Sequence, residues 1–447
     1  MKREPFIVIN ICIFFVTVLV IIISNFTSPR VVGVSFKTMK DNSVGVLDQQ
    51  IKIGFTRPMN QRTAGHAFSI QPNVTGNVSW VNNTLYFTPI KPLRYNQEYR
   101  VRIDKSATDI YHKRLPGSFE ESFRTQNGYF VYISSDTELH LMDLNGRSET
   151  IPNTFNIIDY KVASGTIAYI KDSGRDTNDV FLYDMATKKT TNILQNERAY
   201  YTQIQLSKDG QTIYVLPRMS PDQGNYGNTF ISANLFTQLT KNIALSPVMG
   251  QLVSIWLLPD NNTMLLSLVG ETDEIFFLHT IRNEEDVLLG KFTDYGGSDA
   301  LGDKIVLSGA FASGNPSVIL YNGQSKKISS DNESALFPNI SYDGTMVSYS
   351  FQPLYSRDQK LGLKLIELDS KKIILNMTDN AYSLERSKIS PDDNYLSFEK
   401  YPIDQHIISP YDQNPDMRQF TTIQILNLGT HKVLPFMVTG RYVTWIE

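Results

Sequence analysis

Six histidines, His66, His112, His140, His279, His406 and His431, are the first residues to test for metal or proton chemistry. They stand singly, with no H-E-x-x-H or H-x-H pair. The sole cysteine, Cys12, excludes an intrachain disulfide and a cysteine-based zinc site. The nearest approach to a G-x-S-x-G nucleophile elbow is GGSDA (296–300), which ends on Ala300 and runs into a strand pattern where that elbow needs a helix. No phosphate loop of G-x-x-x-x-G-K-[ST] or G-x-G-x-x-G type is present. DSGRDTND (172–179) offers the oxygen ligands calcium takes, but it lacks the EF-hand spacing and reads as a turn. The sequence therefore predicts no catalytic residue, no cofactor and no metal site. What remains is a set of tyrosines and arginines in long polar segments: Arg218 and Tyr226 in 217–230, Tyr355 and Arg357 in 352–362, and Tyr411, Asp412 and Arg418 in 401–420. Tyr and Arg are favoured anchors at interfaces, so these seven are the predicted binding residues. The plainer alternative is that polar loops solvate a rim and tyrosines pack them down.

The elements that position these segments repeat. QIQLSKDGQTIYVL (203–216), NISYDGTMVSYSF (339–351) and KISPDDNYLSFEK (388–400) each read as strand, tight Asp-containing turn, strand. Weaker copies are KVASGTIAYIK, IWLLPDNNTMLLSLV and DALGDKIVLSGA, which put turns near residues 164, 209, 260, 302, 343 and 392, 41 to 51 residues apart. A third and a fourth strand follow each pair, as in VFLYDMATKKTTNIL and LKLIELDSKKIILN. Four strands in about 45 residues is the period of a β-propeller blade. ISPDD and LSKDG resemble the Ser-Pro-Asp-Gly turn of the TolB-type, WD-like propeller, and that resemblance implies the fold and little about function. In a four-stranded meander, second-to-third loops share one end, so the long segments above predict one loop-rich rim. The first repeat, from Gly128 to Asn153, supplies only three strands; the chain's last residues, RYVTWIE, are expected to add the missing one beside Tyr129–Ile133, with Trp445 as its buried anchor. Six full blades and this shared one make seven.

Residues 31–126 alternate with β period and are broken by Pro, Gly and Asn, which predicts a β-sandwich with no competing helix. IKIGFTRPMN, LYFTPIKPLRYNQEYRVRI, ATDIYHKRL and FRT resemble the bacterial Ig-like domain of surface-layer and other exported proteins, which implies a spacer or adhesive role. Where that family commonly has Gly after the Asp of ATD, this chain has Ile110-Tyr111-His112-Lys113, so a different turn is expected there. Before this domain, Phe6 to Ile23 is an uncharged apolar run. At ~1.5 Å per residue it reaches ~27 Å, enough to span a bilayer. Lys2 and Arg3 precede it, so the bulk of the chain is expected outside the cytoplasm. A cleaved signal peptide is the alternative, disfavoured because no A-x-A-like site follows. Sequons stand at Asn25, Asn73, Asn77, Asn82, Asn261, Asn332, Asn339 and Asn376.

The sequence thus predicts an all-β protein: a cytoplasmic stub and transmembrane signal anchor (1–30), an Ig-like sandwich (31–126) and a seven-bladed TolB-like β-propeller (127–447) closed by the C-terminal strand. Its expected work is binding, through the rim loops, of an envelope or cell-surface protein or polysaccharide. A net charge of −3 argues against nucleic acid as partner. The alternatives are an extracellular propeller hydrolase or lyase acting on glycan, with acidic residues near the central channel, and a purely structural surface protein.

Overall fold

The computed structural model describes, besides Val16, residues 28–38, 44–47, 49–174, 177–194, 200–218, 229–237, 239–245, 251–269, 274–310, 315–354, 360–402 and 421–446. Apart from Val16, the anchor expected at residues 6–23 lies outside the described residues. The protein divides into two compact units, one up to Gln126 and one from Asn127 onward.

The first unit is a two-sheet β-sandwich. One sheet runs in the order Val31–Ser35, Ile51–Phe55, Thr84–Pro89, Gly76–Val81; the other in the order Phe68–Gln71, Glu98–Ile103, Phe119–Arg124. Strict alternation sends Ile51, Ile53 and Phe55 inward from one sheet and Tyr99, Val101 and Ile103 from the other. A short helix, Gln61–Ala67, corrects the expectation of strands alone. Asn60 caps it, accepting a 3.2 Å hydrogen bond from the Thr63 N–H, and Ala64 and Ala67 seat it on the core. The turn that lacks the family glycine is organised by Asp109, fully buried, whose carboxylate accepts the N–H groups of Tyr111 and Lys113 at 2.9 Å and faces Arg57 at 3.4 Å. The left-handed residue falls on His112, at φ 62°.

In the second unit, twenty strands form five separate four-stranded antiparallel sheets, and the remaining eight form one continuous sheet. The separate sheets begin with Ile157–Ala163, Tyr200–Leu206, Gln251–Leu257, Asp294–Ser298 and Glu333–Ile340, and are called here the second to sixth sets. The continuous sheet consists of a first set (Tyr129–Ser134, Leu139–Asp143, Ser148–Thr150) and a seventh (Tyr382–Ile389, Tyr395–Pro402, Thr422–Asn427, Lys432–Val433), joined by the C-terminal strand Val438–Trp445. The turn signals have a common geometry. In Ser207, Ser341 and Ser390 the hydroxyl donates to the carboxylate two residues on, at 2.5, 2.8 and 2.6 Å. Each also accepts the N–H five residues on, at 2.8, 2.9 and 2.9 Å. A Ser-x-Asp turn thereby satisfies the backbone where the strand reverses, which is why those residues recur.

The C-terminal strand starts on the seventh set, with Val438 and Thr439 opposite Ile423 and Thr422, and then pairs with Phe130–Ser134 of the first. Gly440 marks the crossing, since a Cβ there would stand 2.6 Å from the Tyr132 ring and 2.7 Å from the Ile133 carbonyl. Beyond it successive side chains diverge. Trp445 packs on Phe130, Met142 and Ile425 of the first and seventh sets, whereas Ile446 joins Val131, Tyr160 and Ile167 of the first and second. The Trp445 indole N–H donates to the Lys388 carbonyl at 3.1 Å.

Candidate functional site

The first strand of every set, counting the C-terminal strand as that of the first set, has its register interrupted near the middle. In the second to fifth sets one residue is extra: Ile158, Thr202, Val253 and Gly296 have no partner across the ladder. The sixth and seventh sets and the C-terminal strand differ. Two residues oppose one there, Phe337-Pro338, Arg386-Ser387 and Tyr442-Val443, and the first of each pair is left-handed, at φ 50°, 45° and 56°. Bulky side chains rarely adopt that conformation, so surrounding contacts must hold it.

Those contacts converge on Arg386. Its guanidinium lies 5.0 Å from the centre of the Phe337 ring and 5.1 Å from that of Tyr442, and Arg441 approaches the Tyr442 ring at 4.9 Å. Arg386 Nη1 donates to the Tyr401 hydroxyl at 2.8 Å and stands 3.6 Å from Glu399 Oε2. The same carboxylate oxygen accepts the Tyr401 hydroxyl at 2.8 Å, and Oε1 accepts the N–H of Tyr442 at 2.5 Å. The Tyr160 hydroxyl donates toward the carbonyls of Tyr442 and, at 2.9 Å, Val131. Burial is the largest single influence on Arg386 and opposes its charge, but Glu399, Tyr401, Tyr442 and Glu385 together outweigh it, and the guanidinium is held above its ordinary pKa. Burial pushes the Tyr401 phenol up, and the adjacent Glu399 adds to the shift. Glu385 is also raised by burial, with Arg386 pulling the other way.

Side chains of one set also satisfy the interrupted strand of the next. Asp159 Oδ2 accepts the Ile204 N–H at 2.9 Å, Gln203 Oε1 the Ile255 N–H at 2.7 Å, and Asn339 Oδ1 the Ile389 N–H at 2.9 Å. Asn339 also donates to the Gly296 carbonyl at 3.2 Å, so this sequon residue is buried structure between sets. The GGSDA string lies in the strand Asp294–Ser298 and the turn after it. The DSGRDTND segment begins as a turn in which Asp172 accepts the Gly174 N–H at 2.8 Å.

Of the seven predicted binding residues, only Arg218 lies among the described residues. It ends the strand Thr212–Arg218, exposed and in register with Tyr200, whose phenol is raised by burial and by Asp172, with Arg218 lowering it. Tyr226, Tyr355, Arg357, Tyr411, Asp412 and Arg418 lie outside the described residues. Sequence reasoning missed Phe337, Arg386, Glu399 and Tyr442. One signal was available: Phe337 and Arg386 each stand four residues before the turn serine, Ser341 and Ser390. Among the described residues no group of three or more His, Cys, Asp or Glu is placed to hold a metal ion, and no helix is long and apolar enough to cross a membrane.

Comparison with known proteins agrees with this division. The family model of the bacterial Ig-like domain matches residues 27–125. No curated protein matches the chain. Among solved structures, one from a study of two prolyl endopeptidases is similar at 11% identity and TM-score 0.50, covering 86% of this chain and 51% of that one. TolB from Acinetobacter baumannii is similar at 14% identity and TM-score 0.42, covering 73% and 84%. The β-propeller domain of the Trilobed protease from Pyrococcus furiosus is similar at 9% identity and TM-score 0.46, covering 77% and 95%. Identities this low speak to fold alone. The class rests on the chain's own features: the repeated four-stranded sets with their Ser-x-Asp turns make the second unit a TolB-like propeller unit, and the family match makes the first an Ig-like domain.

Proposed function

We propose that this is an extracytoplasmic binding and scaffold protein, held to the membrane by residues 6–23, spaced from it by the Ig-like domain (31–126), and presenting a seven-bladed propeller (127–447) whose C-terminal strand closes the ring. Its loop-rich rim binds an envelope protein, without turnover. The observation that carries this reading is an asymmetry between the two ends of the sets. In the third, sixth and seventh sets, first and second strands are joined by the short stretches 207–211, 341–345 and 390–394, whereas 219–228, 354–361 and 403–421 join second to third strands at the opposite end. Variable chain concentrated at one end of a rigid scaffold is how binding surfaces are built. The carboxylates near the first strands favour binding over glycan hydrolysis or lysis, because Asp159 and Glu399 already serve N–H groups of the neighbouring strands.

The test is capture from envelope fractions with the full chain, compared with a variant in which 403–421 is replaced by a short Gly-Ser linker. Loss of a protein partner with the linker variant is the expected result. Equal recovery from both removes the rim from the proposal, and selective loss of polysaccharide in place of protein changes the class of partner.

A further inference from the structure

The turns between third and fourth strands share one design, from which the third set departs. In the second, third, fourth, sixth and seventh sets the second residue of this turn donates its N–H into the first-to-second turn of its own set, as Leu235 does to the Gln211 carbonyl at 2.8 Å. That bond aligns the five turns residue by residue. The tip residue is then Ala186, Phe236, Arg282, Asp369 or Gly429, and the residue three further on is Lys189, Leu239, Glu285, Lys372 or Lys432. Four sets are small or charged at both positions; the third is aromatic and aliphatic. Phe236 is 89% exposed and Leu239 70%. The backbone holds them out: Asn234 Oδ1 accepts the N–H groups of Phe236 and Thr237 at 3.1 and 2.8 Å, and the Asn234 N–H donates to the Leu239 carbonyl at 2.9 Å. Cations flank this tip. Lys241 follows it on the outgoing strand, and Lys189 and Arg282 belong to the matching turns of the second and fourth sets, all three exposed. The ends of these sets are tied together, since the Ser164 hydroxyl donates to the Lys208 carbonyl at 2.7 Å and the Lys208 N–H to Asn261 Oδ1 at 2.8 Å. Among the nearby carboxylates, Glu149 holds Lys188 at 2.5 Å and Asp184 accepts N–H groups of its own turn. Arg282 is balanced within its own turn by Glu284 and the adjoining Glu285, whereas Lys189 and Lys241 make no ion pair with any described residue.

We infer that the third-set turn docks on an anionic lipid surface, with Phe236 and Leu239 entering the boundary between headgroups and acyl chains and Lys189 and Lys241 meeting headgroup charge. A convex tip of two apolar side chains needs no matching pocket in a fluid interface, which removes both from water. The flanking ammonium groups select an anionic surface, through an attraction that salt screens.

The test mixes vesicles with the full chain carrying Cys12→Ser and an environment-sensitive fluorophore on Thr237→Cys, which lies between the two apolar residues and leaves both in place. A blue shift and quenching by spin-labelled lipid are expected with vesicles of phosphatidylcholine and phosphatidylglycerol, and neither with phosphatidylcholine alone. The same fluorophore on Asn332→Cys, whose carbonyl accepts the Leu354 N–H at 3.0 Å at the loop-bearing end, should stay silent, which separates the tip from the anchor at residues 6–23. Phe236→Ser with Leu239→Ser should abolish the response, and Lys189→Gln with Lys241→Gln should raise the lipid concentration it needs by about tenfold. All four side chains are exposed, so the fold is not at stake. Silence at Thr237, an equal response at Asn332, an equal response to phosphatidylcholine alone or to soluble polyphosphate, or an unchanged response in either double variant overturns the inference.

Discussion

The second to fifth sets and the sixth-to-first region solve the same problem differently. Each first strand must admit an interruption. In the second to fifth sets a single extra residue, small or aliphatic at Thr202, Val253 and Gly296, is absorbed without left-handed backbone at a bulky residue. From the sixth set through the C-terminal strand, two residues are absorbed and Phe337, Arg386 and Tyr442 are forced left-handed, at roughly 1–2 kcal/mol each. Two cation–π contacts at about 0.5–2 kcal/mol apiece, and the charge-assisted bond from Tyr442 to Glu399, offset this. The difference falls where the tail joins the two ends of the second unit. Where the chain itself connects neighbouring sets, backbone continuity does the joining; where a separate strand must be captured, a buried carboxylate and a stacked guanidinium grip it.

The strongest way to break this comparison is to remove the captured strand. Deleting Gly440–Glu447 takes away Val443, Trp445 and Ile446, all buried. The loss should exceed the ~3–5 kcal/mol of one large-to-small core change and abolish a single cooperative thermal transition. Phe276→Ala, in the fourth set, should cost about 3–5 kcal/mol yet keep one transition by calorimetry. Next comes the grip itself. Glu399→Gln leaves Arg386 without its carboxylate and should cost about 3–5 kcal/mol in urea unfolding. Asp159→Asn, the corresponding acceptor between the second and third sets and more exposed, should cost about 1–2 kcal/mol. Equal losses would mean the two regions are held alike. Smaller still is Tyr442→Gly, which gives up the cation–π contacts of Arg386 and Arg441 but relieves the left-handed strain, so stability should change by less than about 1 kcal/mol. Val253→Gly has no such strain to relieve and should lose about 1 kcal/mol.

The parts legible in the sequence were those fixed by local chemistry. Ser-x-Asp turns recur because the hydroxyl and carboxylate must serve the same N–H groups each time, and Tyr442, Val443, Trp445 and Ile446 announced a strand by type. Arg386 and Phe337 looked like ordinary strand residues, because their left-handed backbone is imposed by neighbouring sets and no Gly or Asn marks it. Asn339 read as a sequon for the same reason: its role between the fifth and seventh sets exists only after folding. The helix Gln61–Ala67 escaped notice since seven residues give too little periodicity, and its clearest signal was the cap at Asn60. The rim tyrosines and arginines were chosen by type and loop length alone.

The finest distinction between the two regions is in their response to pH. Glu385, beside the grip, has its carboxyl raised by burial, with Arg386 opposing. A raised carboxyl adds stability that is complete below its unfolded pKa and is lost as pH rises through the folded one, because the unfolded chain releases the proton more readily. Asp379, at the loop-bearing end, has the opposite sign: the Lys400 ammonium at 2.8 Å and the Ala381 N–H hold it below the ordinary range, so its contribution is present above that range and is lost as pH falls. Glu385→Gln keeps an oxygen to accept the Ser383 hydroxyl, now at 3.0 Å, and has no proton to lose. It should therefore match the natural protein near pH 4 and exceed it in urea unfolding at pH 7. Asp379→Asn should do the reverse, matching it in acid and falling short at neutral pH. If Glu385→Gln is the weaker protein at pH 7, the Glu385 charge supports the gripping network, and the strain at Arg386 is held by two carboxylates.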